Sequence, residues 1–169
     1  MANCTLRKAL PEDLAVCMDI LAGGREFQRQ QGFVQWADGY PDSATVEKDL
    51  LSGNGRILCV DGVAAGYFYL GFDGDPSYPL IQGAWHEEGE YAVVHRIAIS
   101  ADFRGLGLTR ETFRLIGQEA LCRGVNILRI DTLQDNLRMR HVLQKNGFAY
   151  CGIVMQNGGQ RMAFDKKLG

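Results

Sequence analysis

Apolar and polar positions alternate over residues 3 to 10, which predicts a short strand; from Pro11 the spacing becomes helical, with Leu14, Met18 and Leu21 on one face. Gly23-Gly24 is expected to interrupt or end that helix. Residues 27 to 40 are polar with aromatic interruptions at Phe27, Phe33, Trp36 and Tyr40, and Pro41-Asp42-Ser43 reads as the cap of a second short helix over roughly residues 43 to 52.

Arg56 to Val60 and Val63 to Phe72 are β-rich runs joined by Asp61-Gly62, a strong hairpin signal. The segment from Gly74 to Trp85 reads as a connecting loop, and Tyr91 to Ser100 as a long apolar strand broken mainly by His95 and Arg96. A helical pattern then runs from Leu108 to about Cys122 and closes at Gly124. Ile127 to Thr132 is another strand, and Asn136 to Lys145 a helix ended by Asn146-Gly147. Residues 149 to 155 and 160 to 166 form a terminal strand pair around Asn157-Gly158-Gly159. A meander first and βαβ units afterwards predict one mixed sheet flanked by helices, and 169 residues suit a single domain over 1-169.

Charge narrows the partners. Eighteen lysines and arginines against twenty aspartates and glutamates leave no general polyanion surface, so no nucleic acid is expected. The five cysteines are scattered, with no CxxC pair and no histidine at ligand spacing, so reduced thiols, no metal and a cytoplasmic location are expected. No run is long enough to span a bilayer, which predicts a soluble chain without a membrane partner.

The most informative segment is Ile97-Ala98-Ile99 followed by Arg104-Gly105-Leu106-Gly107-Leu108-Thr109, which is a strand, a glycine turn and a helix start in succession. Unpaired amides at a helix N-terminus, with glycines that allow close approach, suit a phosphate or pyrophosphate. No Gly-Lys-Ser/Thr follows, which excludes the common nucleotide-triphosphate loop, and Arg110 stands where a dinucleotide fingerprint needs its third glycine.

Arg104-x-x-Gly107-x-Thr109 resembles the Arg/Gln-x-x-Gly-x-Gly/Ala pyrophosphate motif of the GNAT superfamily of N-acetyltransferases, with Thr109 as a departure from the usual small residue. Asn136 followed by Gly147-Phe148 has the spacing of that family's second block. The resemblance implies a mixed α+β acyl-CoA N-acyltransferase fold, with a central, mixed, mostly antiparallel sheet flanked by about four helices. It also implies acetyl-CoA as co-substrate, with its pantetheine arm bonded to the backbone of Ile97 and Ile99 like an added strand. Asn136 would reach the same arm, while capping its own helix is an equally open role.

Acetylation of an amine needs a base, oxyanion stabilisation and a proton for the departing thiolate. His95 shares strand parity with Tyr91, Val93 and Ile97, and a histidine stands at the comparable strand position of the serotonin-type members, which makes it the candidate base. The Ile97 amide would polarise the thioester carbonyl. Leu143 occupies the family's usual tyrosine-acid position, leaving Tyr150 and Tyr91 as substitutes. Glu90, in the acidic run His86-Glu87-Glu88-Gly89-Glu90, would attract a cationic amine or take its proton through water. The implied function is transfer of an acetyl group to a primary amine of a small molecule, amino acid or peptide in a ternary complex. A homodimer is compatible with this reading, and the alternative is a non-catalytic acyl-CoA sensor on the same fold.

Overall fold

In the computed structural model, which describes residues 2–36 and 39–169, the first helix runs straight through Gly23-Gly24. Helix α1 spans Leu14–Gln30. The expected break is overridden by packing: a Cβ on Gly24 would lie 3.0 Å from the Trp36 ring and 3.1 Å from the Ala98 side chain. Glycine therefore serves as a flat contact surface, which offsets its poor helix propensity.

The described residues divide into two units, one of the chain up to Leu70 with Arg96–Leu115, the other of Gly71–His95 with Ile116–Gly169. In the first unit β1 (Cys4–Lys8) pairs antiparallel with β2 (Gly55–Val60), and β2 with β3 (Val63–Gly71). The β2–β3 hairpin turns at Asp61-Gly62, both left-handed at φ 49° and 83°, as a two-residue hairpin requires. Helix α2 (Ser43–Ser52) starts where Asp42 accepts the Thr45 amide at 2.8 Å, and it stops at left-handed Gly53. Cys17, Leu21, Val46, Ile57 and Tyr67 pack with Ala98 on one side of these strands; Leu58, Ala65 and Leu108 pack with Ile99 in a second cluster.

The second unit contains β4 (Gln82–Gly83), β6 (Ile127–Thr132), β7 (Ala149–Gln156) and β8 (Gly159–Lys167). Strand β5 (Ala92–Ile99) begins here, pairs in parallel with β6 through Ala92–Val94, and continues into the first unit. The order within this unit is β5-β6-β8-β7-β4, with β6–β8, β8–β7 and β7–β4 antiparallel. Asn157-Gly158, φ 51° and 74°, makes the last hairpin. The segment expected to be a plain loop after Gly74 carries a one-turn helix at Tyr78–Leu80, with Tyr78 fully buried, and then β4. Counted together among the described residues, the strands number eight, in a mixed, mostly antiparallel sheet, and α3 (Leu108–Cys122) and α4 (Leu137–Lys145) complete four helices, as expected. No helix among the described residues is long and apolar enough to cross a membrane.

Candidate functional site

The glycine turn begins where β5 ends. After a one-turn helix at Ala101–Phe103, Gly105 and Gly107 both take left-handed backbone, φ 79° and 72°, and α3 starts at Leu108. A Cβ at either glycine would meet nothing within 4 Å, so the turn is open on its outer side, and Leu106 is 65% exposed. Among the described residues, Gly105, Leu106 and Gly107 donate no backbone hydrogen bond outside helices and strands. Amides at the mouth of a helix, reachable by a ligand's oxygens, fit a pyrophosphate. Leu108 is buried and Thr109 half-buried at the start of that helix.

Arg104 places its side chain against α1. Its Nη2 donates to the Gly23 carbonyl at 2.7 Å, and its guanidinium stacks on the Phe27 ring at 4.5 Å. Ala98 sits against Gly24, and Ile99 joins the Leu58 cluster. Asn136, buried, accepts the Met139 amide at 3.0 Å and so fills the capping role that the sequence left open.

Inside β5, Arg96 is left-handed at φ 55°. This corrects the parity argument: alternation counted from Tyr91 through Val93 to His95 does not carry on to Ile97, because a left-handed residue resets the pleat. Arg96 is fixed by ion pairing, with Nη2 to Asp49 Oδ1 at 2.6 Å and Nε to Asp49 Oδ2 at 3.0 Å. Its Nη1 donates to the Tyr40 hydroxyl, and Asp49 also accepts the Tyr67 hydroxyl at 2.6 Å.

His95 lies in a different polar cluster, in the second unit. Its Nε2 is 2.9 Å from Asp75 Oδ2 and its Nδ1 is 3.8 Å from Asp131 Oδ2; the side chain is 19% exposed against 9% and 7% for the two carboxylates. Asp75 is held by the residues around it. Oδ1 accepts the Ser77 amide and hydroxyl at 2.8 and 2.6 Å, and Oδ2 accepts Gln156 Nε2 at 3.0 Å. Asp131 accepts the Tyr78 hydroxyl at 2.8 Å.

The two carboxylates are pushed in opposite directions. Burial raises Asp75, but the bonds from His95, Ser77 and Gln156 outweigh it and hold the carboxyl well below the usual range. Burial raises Asp131, and His95 and Tyr78 offset this only in part. An ionised Asp75 can only accept, so the imidazole proton belongs on Nε2 and the lone pair on Nδ1. Carboxylates driven apart around one imidazole are the pattern of an acid–base centre.

Asp75 and Asp131 were not singled out as partners of His95 by sequence. Asp75-Pro76 signals only a turn, and Asp131 interrupts an apolar strand, a weak sign of a buried acid. Tyr150 is 49% exposed with its ring edge-on to Phe164, and Glu90 is exposed ahead of β5. Leu143 is fully buried, so no proton donor stands at that position. Of the aromatic interruptions in the polar stretch from residue 27 to 40, Trp36 is buried in the first unit's core; Ala37 and Asp38 lie outside the described residues.

Comparison with known proteins gives concordant results. The profile described as Acetyltransferase (GNAT) family matches residues 23–148. A crystal structure of a GNAT-family acetyltransferase from Streptococcus agalactiae is similar with TM-score 0.89 and 30% identity, covering 98% of this chain and 96% of that one. A GNAT-family acetyltransferase from Listeria monocytogenes is similar with TM-score 0.77 at 20% identity, covering 98% and 95%. The aminoglycoside acetyltransferase AAC(6')-Ib, in complex with ribostamycin and coenzyme A, has the same fold with TM-score 0.71 at 22% identity, covering 98% and 93%. No curated protein matches the sequence.

Proposed function

The chain belongs to the acetyltransferase (GNAT) family and is an acyl-CoA-using acetyltransferase, and from that premise we propose that it acts as one domain that acetylates a primary amine, with His95 as general base. The observation that carries the reading is the imidazole bonded through Nε2 to a carboxylate kept ionised.

When bound, acetyl-CoA supplies the acetyl group as a thioester. The amides of Gly105, Leu106 and Gly107 and the first turn of α3, with Leu108 and Thr109, hold the pyrophosphate. The backbone of Ile97, Ala98 and Ile99 takes the pantetheine arm, and the Ile97 amide polarises the carbonyl. Arg104 steadies the turn by anchoring it to α1 rather than by meeting phosphate itself. Asn136 shapes the second block by capping α4.

Nδ1 of His95 takes the proton of the attacking amine, and Asp75 keeps the ring in the tautomer that allows it. The carboxylates of Asp75 and Asp131 favour a cationic acceptor near the imidazole, and Glu90 adds negative charge on the exposed approach. Tyr150, exposed to water, is the proton donor for the departing thiolate. The aminoglycoside bound by AAC(6')-Ib supports a polyamine-like small molecule as the first acceptor class to try.

The test is thiol release from acetyl-CoA over a panel of primary amines, amino acids and peptide amines, at pH 6 to 9. Turnover that depends on His95 supports the assignment. Turnover unchanged in His95→Ala with every accepted amine rejects it.

A further inference from the structure

Three donor atoms converge at a second place in the second unit, on segments far apart in sequence. His86 follows β4, Cys151 lies on β7 and Asp165 on β8. His86 Nδ1 is 3.0 Å from Asp165 Oδ1 and 3.2 Å from Cys151 Sγ, and one donor atom from each residue lies within 4.8 Å of the others. We propose that His86, Cys151 and Asp165 form a site for a thiophilic divalent metal ion of the zinc class, separate from the acetyl-transfer machinery.

The backbone builds this cluster. The β7–β8 register shifts between Tyr150 and Gly152, so Cys151 sits in a bulge, a device that re-aims a side chain. Gly83 and Gly152 are opposite each other across β4 and β7, both left-handed, and a Cβ on either would collide with the other strand's backbone. That approach, with the Ala84 amide bonded to the Cys151 carbonyl at 3.1 Å, brings His86 over β7. Asp165 is 2% exposed, and its Oδ2 accepts the amides of His86 at 2.7 Å and Glu87 at 3.0 Å, which fixes Oδ1 toward the other two donors. An oriented carboxylate of this kind is what a ligand's outer shell provides.

Without an ion, Nδ1 can donate to Asp165 while the Cys151 thiol donates to the Ala149 carbonyl at 3.4 Å, so the cluster is compatible with a neutral thiol and gathers the donor set of a cation as well. An ion about 2.0 to 2.3 Å from each donor would satisfy all three, with the thiol proton released to solvent. Sulfur, imidazole and carboxylate together select zinc-like ions over magnesium or calcium. The His86 side chain is 52% exposed, which gives an entry path and room for a water as fourth ligand. Arg129, opposite Asp165 across β6 and β8, is directed elsewhere, to the Glu87 carbonyl at 2.8 Å and the rings of Trp85 and Tyr91.

The test uses the full chain stripped with chelator and titrated with zinc chloride against a chromophoric chelator, then with cobalt(II) chloride as a spectroscopic stand-in. One ion per chain is expected, with a thiolate-to-cobalt charge-transfer band, and zinc should raise the melting temperature. His86→Ala, at an exposed position and checked for folding by circular dichroism, should weaken zinc binding by roughly 100-fold and abolish the melting shift. Cys151→Ser should remove the charge-transfer band. Equal affinity in the parent and His86→Ala, or a band that survives Cys151→Ser, overturns the site. No acetyl transfer enters these readouts, so they are independent of the reading of His95.

Discussion

His95 and Arg96 are neighbours on one strand, and each faces buried acid, yet they are built for opposite purposes. Arg96 is closed off: Asp49 takes it in a bidentate pair, Tyr40 and Tyr67 complete the bonds, and the Tyr69 ring lies 4.9 Å away. Burial works against its charge, and Asp49 more than restores it, so it stays charged at any working pH. His95 is bonded through Nε2 to Asp75, and its Nδ1 lies 3.8 Å from Asp131 Oδ2. A permanent charge held in a bidentate pair is scaffold; an imidazole set between two carboxylates can do chemistry.

The largest effect should come from breaking the closed half. Asp49→Ala leaves the Arg96 guanidinium and the Tyr67 hydroxyl buried without their partner, at a cost of about 3 to 5 kcal/mol. Urea denaturation measures it. The double variant Asp49→Leu with Arg96→Met should regain most of the loss; if it does not, the pair is more than scaffold. Next comes His95. His95→Ala should lower kcat by roughly 10²- to 10⁴-fold while the melting temperature stays near that of the parent. A large fall in melting temperature instead would make His95 structural.

How much of this contrast was readable beforehand follows from the range of the interactions. Turn chemistry is local, so Asp61-Gly62, Asn157-Gly158 and the Asp42 cap were placed from sequence, as was the strand Ile127–Thr132. Gly23-Gly24 was misread because the surfaces that need a glycine there, Trp36 and Ala98, are remote in sequence. The left-handed Arg96 gave no signal at all, since arginine has no preference for that region and only its bonds to Asp49 and Tyr40 hold it. His95 was legible as a candidate, but Asp75 and Asp131, 20 and 36 residues away, were not. The same distance hid His86, Cys151 and Asp165 from a search by ligand spacing.

A smaller effect tests the orientation of the ring. Asp75→Asn keeps the shape but removes the charge that fixes the Nε2 proton, so kcat should fall by roughly 10- to 100-fold. The stability sign is also defined. Because the folded carboxyl lies below its unfolded value, its contribution is present above about pH 4 and is lost as pH falls further. Asp75→Asn should therefore flatten the acid side of the stability curve, as followed by urea midpoints from pH 5 to 2. An unaltered acid slope would mean that Asp75 is not the ionised partner of His95.

The smallest effect probes the far end of the reaction. Tyr150→Phe keeps the ring edge against Phe164 and removes only an exposed hydroxyl, so stability should stay within about 0.5 kcal/mol. If that hydroxyl protonates the thiolate, kcat falls, though by less than about tenfold, because water reaches the same position and substitutes in part. The loss should be greatest on the alkaline side, where hydronium is scarce. A rate unchanged from pH 6 to 9 would assign the proton to solvent alone. It would then leave His95 as the one protein group proposed to move a proton, the sharpest form of its contrast with Arg96.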